Sequence, residues 1–352
     1  MADTSEDVCE TNSSATGIVA SNVEEHLEGS GEIAEKPEND TKEYSNKKPY
    51  LFNVMNYLNN FKTQIMKSIS FVDDTLPQKH VNNTCAFDSV LQVIIVALKN
   101  NSSLQEAFKT SKNSFIKMAQ YVIIHGWKDP QANELRINLL HEYLENDKSR
   151  VKDFHGRLFL NCAISVPHVI LHTFRNDPSC EEVSKCANGC TNLPKKRAYV
   201  TIPYKELLNE NFDDLIADYL SLPVRPCEYC TSMVETKLEM TGSFMFFEVE
   251  DADSQKDIEL KCIPQSFSIT VCEEKKTYKL RGIIHFIRPT ANIQLSTQLS
   301  KNPLGHYTAI CPESRHLWAE YDDICNKHYD QKRVCRTNQF KCCPSLLIYS
   351  IL

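Results

Sequence analysis

The stretch Asn82–Gln92 reads NNTCAFDSVLQ and places a cysteine between a polar segment and an apolar one. After Cys85, apolar residues recur at intervals of three and four, at Leu91, Ile94, Ile95 and Leu98. This spacing predicts a helix with one buried face and with the cysteine in its first turn. Unpaired backbone N–H groups and the positive end of the helix dipole favour a thiolate there, which is the nucleophilic form of cysteine. The alternative is a small core residue, which is the commoner use of an unoxidised cysteine.

A partner for the cysteine lies far downstream, where residues 304–311 read LGHYTAIC and residues 317–323 read LWAEYDD. His306 opens an alternating run that predicts a strand, and a second short strand ends in two aspartates. A hairpin of this kind places Asp322 beside His306, where the carboxylate holds the imidazole in the tautomer that accepts a proton from a thiol. Cys85, His306 and Asp322 are therefore the candidate catalytic residues. Three nearby groups are weaker alternatives: His285, His316 and Asp323.

These two motifs resemble those of the ubiquitin-specific proteases, a family of papain-like cysteine peptidases. The family's cysteine motif is commonly Gly-Asn-Thr-Cys-Tyr-Met-Asn-Ser-x-Leu-Gln, and the chain keeps Asn83, Thr84, Cys85, Ser89, Leu91 and Gln92. The histidine motif, Gly-His-Tyr-x-Ala-Tyr followed by Trp-x-x-aromatic-Asp/Asn, is matched at Gly305, His306, Tyr307, Ala309, Trp318, Tyr321 and Asp322. The resemblance implies that Cys85 is the nucleophile, His306 the general base and then acid, and Asp322 the residue that orients the histidine. It spans roughly residues 70–352, although only the two motifs are specific.

The same resemblance implies an α+β fold with a helical thumb, an antiparallel-sheet palm and zinc-capped β fingers. Helical periodicity over residues 104–146 agrees with a helical part at about 70–160. The part at about 161–352 has short runs rich in β-branched and aromatic residues, which suit an antiparallel sheet. The predicted strands are 169–174, 198–202, 243–249, 266–271, 278–286, 307–311 and a closing strand at 346–351. Helices that carry a cysteine, packed on a sheet that carries a histidine, form a cleft suited to a site.

Two cysteine pairs lie within the β-rich part, Cys186 with Cys190 and Cys227 with Cys230. Structural zinc takes four thiolates in tetrahedral geometry, and two short cysteine pairs commonly supply them. The spacing therefore predicts a structural zinc site, which in the resembled family caps the fingers that grip ubiquitin. Cys180 is an alternative ligand, and unligated thiols are the alternative to the whole site. No His-rich or carboxylate cluster near the motifs indicates a catalytic metal, so we expect no catalytic cofactor.

The region before the cysteine is where the chain departs from the family. The family usually has Asn five residues before the cysteine and Gly three before it, whereas this chain has His80 and Asn82. An oxyanion hole would combine backbone N–H groups near Cys85 with a side-chain donor from His80, Asn82 or Asn83. Loss of one donor would lower the rate ~10²-fold or more. Asp88, in place of the usual Asn, is a second departure.

Composition sets the remaining limits. The 352-residue chain carries a formal charge of -7 and 41% hydrophobic residues, which allows a sizeable core. Residues 1–46 contain twelve Asp or Glu and two Lys, with Tyr44 as the only aromatic, and are predicted to be a disordered acidic tail. The rest holds 34 acidic and 37 basic residues, a balance of +3 that gives no sign of nucleic-acid binding. An amphipathic helix or linker is predicted at 47–68, ahead of the catalytic domain at 70–352.

No secretory signal is apparent at the N-terminus, and no apolar run reaches the ~18 residues of a membrane span. The fifteen cysteines are odd in number and irregular in spacing, which indicates a reducing compartment. We therefore expect a protein of the cytoplasm or nucleus that has no membrane partner.

Three functional interpretations follow from these patterns. The first is a cysteine isopeptidase that removes ubiquitin or a ubiquitin-like modifier, including SUMO, from proteins by acyl transfer. The second is an inactive relative that binds the modifier as an adaptor. The third is an unrelated zinc-stabilised interaction protein in which Cys85 and His306 are core residues. In that case Cys85 is unreactive and its replacement destabilises the fold.

Overall fold

The structure, a computed structural model, describes residues 79–145, 147, 149–154, 157–190, 194–208, 211–220, 224–250, 257–288, 305–314, 316–322, 333–336 and 340–352. The predicted acidic tail at 1–46 and the predicted helix at 47–68 lie outside these residues. Within the described ranges no helix is both long and apolar enough to cross a membrane.

Six α-helices occur in the described part of the chain, and five of them precede residue 174. They are α1 (Cys85–Lys99), α2 (Ser102–Ala107), α3 (Ser114–His125), α4 (Pro130–Leu144), α5 (Val166–Thr173) and α6 (Phe212–Leu220). Two short 3-10 helices are Tyr204–Leu208 and Leu260–Cys262. Helices α2, α3 and α4 begin where Asn101, Asn113 and Asp129 accept hydrogen bonds from backbone N–H groups of the first turn.

Seventeen strands form four sheets within the same ranges. The first nine are β1 (Lys79–Asn82), β2 (Val151–Phe154), β3 (Arg157–Asn161), β4 (Cys180–Cys186), β5 (Pro194–Arg197), β6 (Val200–Pro203), β7 (Arg225–Pro226), β8 (Met233–Thr241) and β9 (Phe244–Glu250). The others are β10 (Ile258–Glu259), β11 (Ser266–Val271), β12 (Glu274–Ile287), β13 (His306–Pro312), β14 (Leu317–Tyr321), β15 (Arg333–Arg336), β16 (Lys341–Cys342) and β17 (Pro344–Ile351).

The largest sheet has eight strands in the order β15-β14-β13-β12-β17-β9-β6, with β11 paired to β12. A four-stranded sheet has the order β5-β4-β8-β7, a three-stranded sheet the order β1-β3-β2, and β10 pairs with β16. The described pairings are antiparallel except for β1 with β3 and β6 with β9. The chain therefore has a mixed α/β fold, in which the long sheet carries most of the strands predicted from the sequence.

Helix α1 is buried on all sides, which differs from the single buried face that its periodicity predicts. Every residue from Ala86 to Leu98 is buried. A Cβ on Gly282 of β12 would lie 2.6 Å from a methyl group of Val93, so only glycine lets the helix approach the sheet this closely. Ser89 also donates a hydrogen bond to the backbone carbonyl of Tyr307 on β13, at 3.1 Å. The sheet covers one side of α1 and helices α2, α3 and α5 cover others.

The strand predicted at 169–174 is wrong: residues 169–173 lie in helix α5, and Phe174 is the C-cap of that helix. The buried residues of this segment are Val166, Val169, Ile170 and Thr173, which have the three- and four-residue spacing of a helix face. Pro167 lies in the first turn, where its fixed φ suits a helix start. The β-branched run by itself suits a strand, whereas Val166 upstream completes the helical period. The part at about 70–160 likewise holds strands β1 to β3 beside its helices.

Because α1 depends on close approach to Gly282, we expect Gly282→Ala to lower the free energy of unfolding by about 1–3 kcal/mol through overpacking against Val93. Adding Val93→Ala should relieve part of the overpacking, since it removes the two methyl groups nearest the new Cβ. The double variant should therefore lose less free energy of unfolding than the sum of the two single variants. Urea denaturation of the single and double variants measures both values. Strictly additive losses in the double variant would contradict this account.

Candidate functional site

The first residue of α1 and the first residue of β13 meet at the candidate site. The imidazole of His306 forms a hydrogen bond with the thiol of Cys85. Its Nε2 lies 2.8 Å from Oδ1 of Asp322, the residue directly after β14. Strands β13 and β14 pair with Ala309 opposite Tyr321, and this hairpin returns the aspartate to the histidine. The structure thus brings together the three predicted catalytic residues, whose chemical roles stay predictions.

The surroundings of His306 favour its protonated form. The His306 and Asp322 side chains are only 13% and 17% exposed. Burial on its own lowers the pKa of His306, but the hydrogen bonds to Asp322 and Cys85 outweigh it and raise that pKa from 6.5 to about 10. An imidazolium next to a thiol is the arrangement that stabilises a thiolate by ion pairing.

The weaker alternatives lie elsewhere. His285 accepts a hydrogen bond through Nδ1 from the backbone N–H of Cys343 at 2.9 Å, which occupies that ring nitrogen within the sheet region. His316 is exposed in the turn before β14. Asp323 lies outside the described residues.

The three residues predicted to stabilise an oxyanion lie in or beside β1. The His80 ring stacks on Phe159 with centroids 5.1 Å apart, and Asn82 is exposed. Asn83 has a positive φ of 57°, and its side-chain amide donates to Oδ1 of Asn161 at 2.9 Å. Asn161 was missed in the sequence because its position depends on the parallel pairing of β1 with β3, which no local pattern announces.

A buried ion pair supports the first turn of α1. Arg136 of α4 donates through Nε to Oδ1 of Asp88 at 2.6 Å and through Nη2 to Oδ2. The same Nη2 donates to Oγ1 of Thr84 at 2.5 Å. The Asp88 side chain is 2% exposed and that of Arg136 is 13% exposed. Asp88 within a largely apolar helix predicts a cationic partner from the sequence alone, because buried charges are paired. The sequence does not identify which Lys or Arg that partner is.

The four predicted zinc ligands form one cluster. The Sγ atoms of Cys186, Cys190, Cys227 and Cys230 lie within 4.8 Å of one another, at one end of the four-stranded sheet. Four thiolates at ~2.3 Å from a central zinc ion would be about 3.8 Å apart, so this donor set fits tetrahedral zinc. A hydrogen bond from Cys190 lowers the pKa of Cys230, which favours the thiolate form that zinc binds. Cys180 instead belongs to the hydrophobic core.

No family model and no curated protein sequence matches the chain. One solved structure that resembles the chain is the SAGA Ubp8/Sgf11/Sus1/Sgf73 DUB module bound to ubiquitin aldehyde. The sequence identity is 14%, the match covers 86% of this chain and 76% of that chain, and the TM-score is 0.41. A monoubiquitin-bound form of that module has 14% identity, coverage of 85% and 76%, and a TM-score of 0.41. A yeast form with a mutant Sgf73 has 14% identity, coverage of 87% and 76%, and a TM-score of 0.39. Scores at this level do not establish a shared fold, so a function has to come from the chemistry of the site.

We expect Asp322→Ala to lower the pKa of His306 from about 10 toward its ordinary value of 6.5. Because the folded pKa is the higher one, protonated His306 stabilises the fold fully below pH 6.5, and this contribution is lost as the pH rises through about 10. NMR titration of isotope-labelled histidine measures the change, with His306→Ala assigning the signal. A wild-type midpoint near 6.5 would contradict the prediction.

We also expect the purified protein to hold one equivalent of zinc and Cys227→Ser to lose it. The variant should also melt at a lower temperature, because the apolar cluster around these cysteines is small: Cys186, Cys227 and Val234, with Cys230 packed against them. Elemental analysis and thermal denaturation give the two readouts. Cys262→Ser removes an exposed thiol outside the cluster and should change neither of them. Full zinc content in Cys227→Ser would count against the site.

Proposed function

We propose that the protein is a cysteine isopeptidase that removes ubiquitin or a ubiquitin-like modifier from proteins. The observation that carries the proposal is the pair of hydrogen bonds made by the imidazole of His306. One joins it to Asp322 at 2.8 Å, and the other joins it to the thiol of Cys85. A nucleophile, a proton carrier and a group that orients the carrier are the parts that thiol-based acyl transfer requires. The two sequence motifs indicate the substrate class, because they resemble those of the ubiquitin-specific proteases.

In the proposed reaction, the thiolate of Cys85 attacks the carbonyl carbon of the modifier's C-terminal glycine. The imidazolium of His306 gives its proton to the departing lysine amine, which leaves a thioester on the cysteine. Water then attacks the thioester carbonyl while neutral His306 accepts one proton from that water. The C–S bond breaks, the modifier leaves with a free C-terminal carboxylate, and the Cys85 thiolate and the His306 imidazolium are regenerated. Asp322 holds the ring in the required orientation through both steps.

The negative oxygen formed in each step needs hydrogen-bond donors. The first N–H groups of a helix have no acceptor within that helix, so those at the start of α1 are suited to this role. Of the side-chain candidates, Asn82 is exposed, whereas His80 stacks on Phe159 and Asn83 bonds Asn161. We therefore propose a hole formed mainly by backbone N–H groups near Cys85, with Asn82 as the first side-chain candidate.

The proposal also assigns roles to the larger parts of the fold. The early helices with Cys85 would form a thumb, the eight-stranded sheet with His306 a palm, and the four-stranded sheet with its four cysteines the zinc-capped fingers. The cysteine cluster lies in a different sheet from His306, which supports a structural rather than a catalytic metal. The expected partners are the modifier and its conjugates, in the cytoplasm or nucleus.

The proposal predicts a covalent adduct between Cys85 and a modifier that bears a thiol-reactive C-terminal group. Wild-type protein, Cys85→Ala and His306→Ala would each be incubated with ubiquitin and SUMO probes and weighed by intact mass. We expect one adduct with wild type, none with Cys85→Ala, and a rate at least ~10²-fold lower with His306→Ala. Cys262→Ala, which removes an exposed thiol away from the site, should react as wild type does.

The pattern of labelling separates the alternatives. Labelling by SUMO alone would assign the SUMO-directed activity, and labelling by ubiquitin the ubiquitin-directed one. Measurable binding of either modifier without an adduct would support an adaptor and refute the isopeptidase. Absence of both adduct and binding would leave the zinc-stabilised interaction protein as the remaining interpretation.

A further inference from the structure

We infer that Arg136 and Asp88 form a positioning pair that fixes the first turn of α1 and balances the charge next to Cys85. Neither residue touches the reacting atoms, so both would act through the cysteine. The inference deepens the proposed function and rests on it for its catalytic meaning. Its geometric basis is independent of the substrate.

The pair binds the helix on both sides of the cysteine. Thr84 directly precedes Cys85 and Asp88 follows it by three residues, so all three lie in one turn. Thr84 occupies the N-cap position, yet its hydroxyl caps no backbone N–H and instead accepts a hydrogen bond from Arg136 at 2.5 Å. The backbone N–H of Asp88 donates to the Thr84 carbonyl at 2.9 Å. Arg136 therefore closes a ring of bonds around the turn that carries the thiol.

The pair also sets the local charge. A buried carboxylate in the same turn as Cys85 would oppose a thiolate there, because like charges repel strongly when little water separates them. The guanidinium of Arg136 stays protonated at accessible pH and is bonded to both carboxylate oxygens of Asp88. It therefore cancels the charge that would work against the nucleophile.

Other charged groups near the pair do not replace Arg136. Arg150 is held by Asp147, through Nε at 2.8 Å, and by the carbonyl of Ala163. Burial raises the pKa of Cys162 to about 12, so this neighbouring thiol stays neutral in the physiological range. On the other side, His306 of β13 and Asp322 after β14 act on Cys85 as described above.

Stability alone does not account for such a pair. Removing two charges from water costs much of what their attraction returns, and apolar side chains of similar volume often stabilise a fold better. Apolar side chains fit other buried positions of α1, such as Val90 and Leu91. The location of the pair, in the turn with Cys85, matches an effect on the thiol.

The test is the pH dependence of Cys85 alkylation by iodoacetamide, followed by peptide mass mapping on the full chain. Arg136→Met leaves the carboxylate unbalanced and should raise the pH midpoint of alkylation, relative to wild type, by about one unit, which is roughly a tenfold slower reaction below the midpoint. Asp88→Asn leaves the guanidinium unbalanced and should lower the midpoint. The double variant should return close to wild type.

A matched control is Arg197→Met, which removes the arginine from another buried carboxylate, Glu182 in the four-stranded sheet, with an Nε–Oε1 distance of 2.7 Å. It should leave the Cys85 midpoint unchanged. Midpoints that shift in the same direction in Arg136→Met and Asp88→Asn, or that do not shift, would overturn the inference. If Arg136→Met does not fold, Asp88→Asn and the double variant still decide between the two outcomes.

The alkylation assay needs no modifier, so it separates this inference from the proposed function. Opposite shifts in a protein that no modifier probe labels would keep the positioning pair and refute the isopeptidase. Labelling by a probe, with midpoints that the variants leave unchanged, would keep the isopeptidase and refute the positioning pair.

Discussion

The packing of helix α1 against the middle of the eight-stranded sheet is the constraint on which the candidate site depends. The helix is buried from Ala86 to Leu98, and Gly282 lets it lie directly against β12. Such close burial leaves the helix little freedom to slide or rotate, because protein interiors are packed as densely as organic crystals. Since Cys85 begins this helix and His306 begins the neighbouring strand β13, the packing sets the distance between thiol and imidazole.

Polar contacts then hold the side chains of the candidate site in positions that packing alone sets only approximately. Asp322 forms a hydrogen bond with the imidazole of His306, and Arg136 connects Thr84 and Asp88 on either side of the cysteine. Both charged pairs are largely buried, where hydrogen bonds are strong and errors in position are costly. Cys85, a partly exposed thiol, therefore lies close to two largely buried ion pairs.

The four-stranded sheet is stabilised by a different principle. The eight-stranded sheet has an extensive hydrophobic core with aromatic contacts among Phe247, Phe267 and Tyr349. Around the four cysteines the apolar cluster is small, with Val234 as its main aliphatic member. A small sheet of this kind gains from a metal or another cross-link, because its own burial stabilises it weakly. The cysteine spacing and the small apolar cluster therefore both favour a metal cross-link in this sheet.

The sequence by itself determined the features that depend on short-range pattern: the helix after Cys85, the hairpin that joins His306 to Asp322, and the four cysteines of the cluster. Periodicity and spacing are local, so they are legible in one chain. The strand prediction for residues 169–174 failed because β-branched residues occur both in strands and in buried helices. Only the tertiary structure selected Arg136 as the partner of Asp88, 48 residues away, and Asn161 as the partner of Asn83, 78 residues away. The chain contains many arginines and asparagines, and the packing of distant elements decides which of them meets a given group.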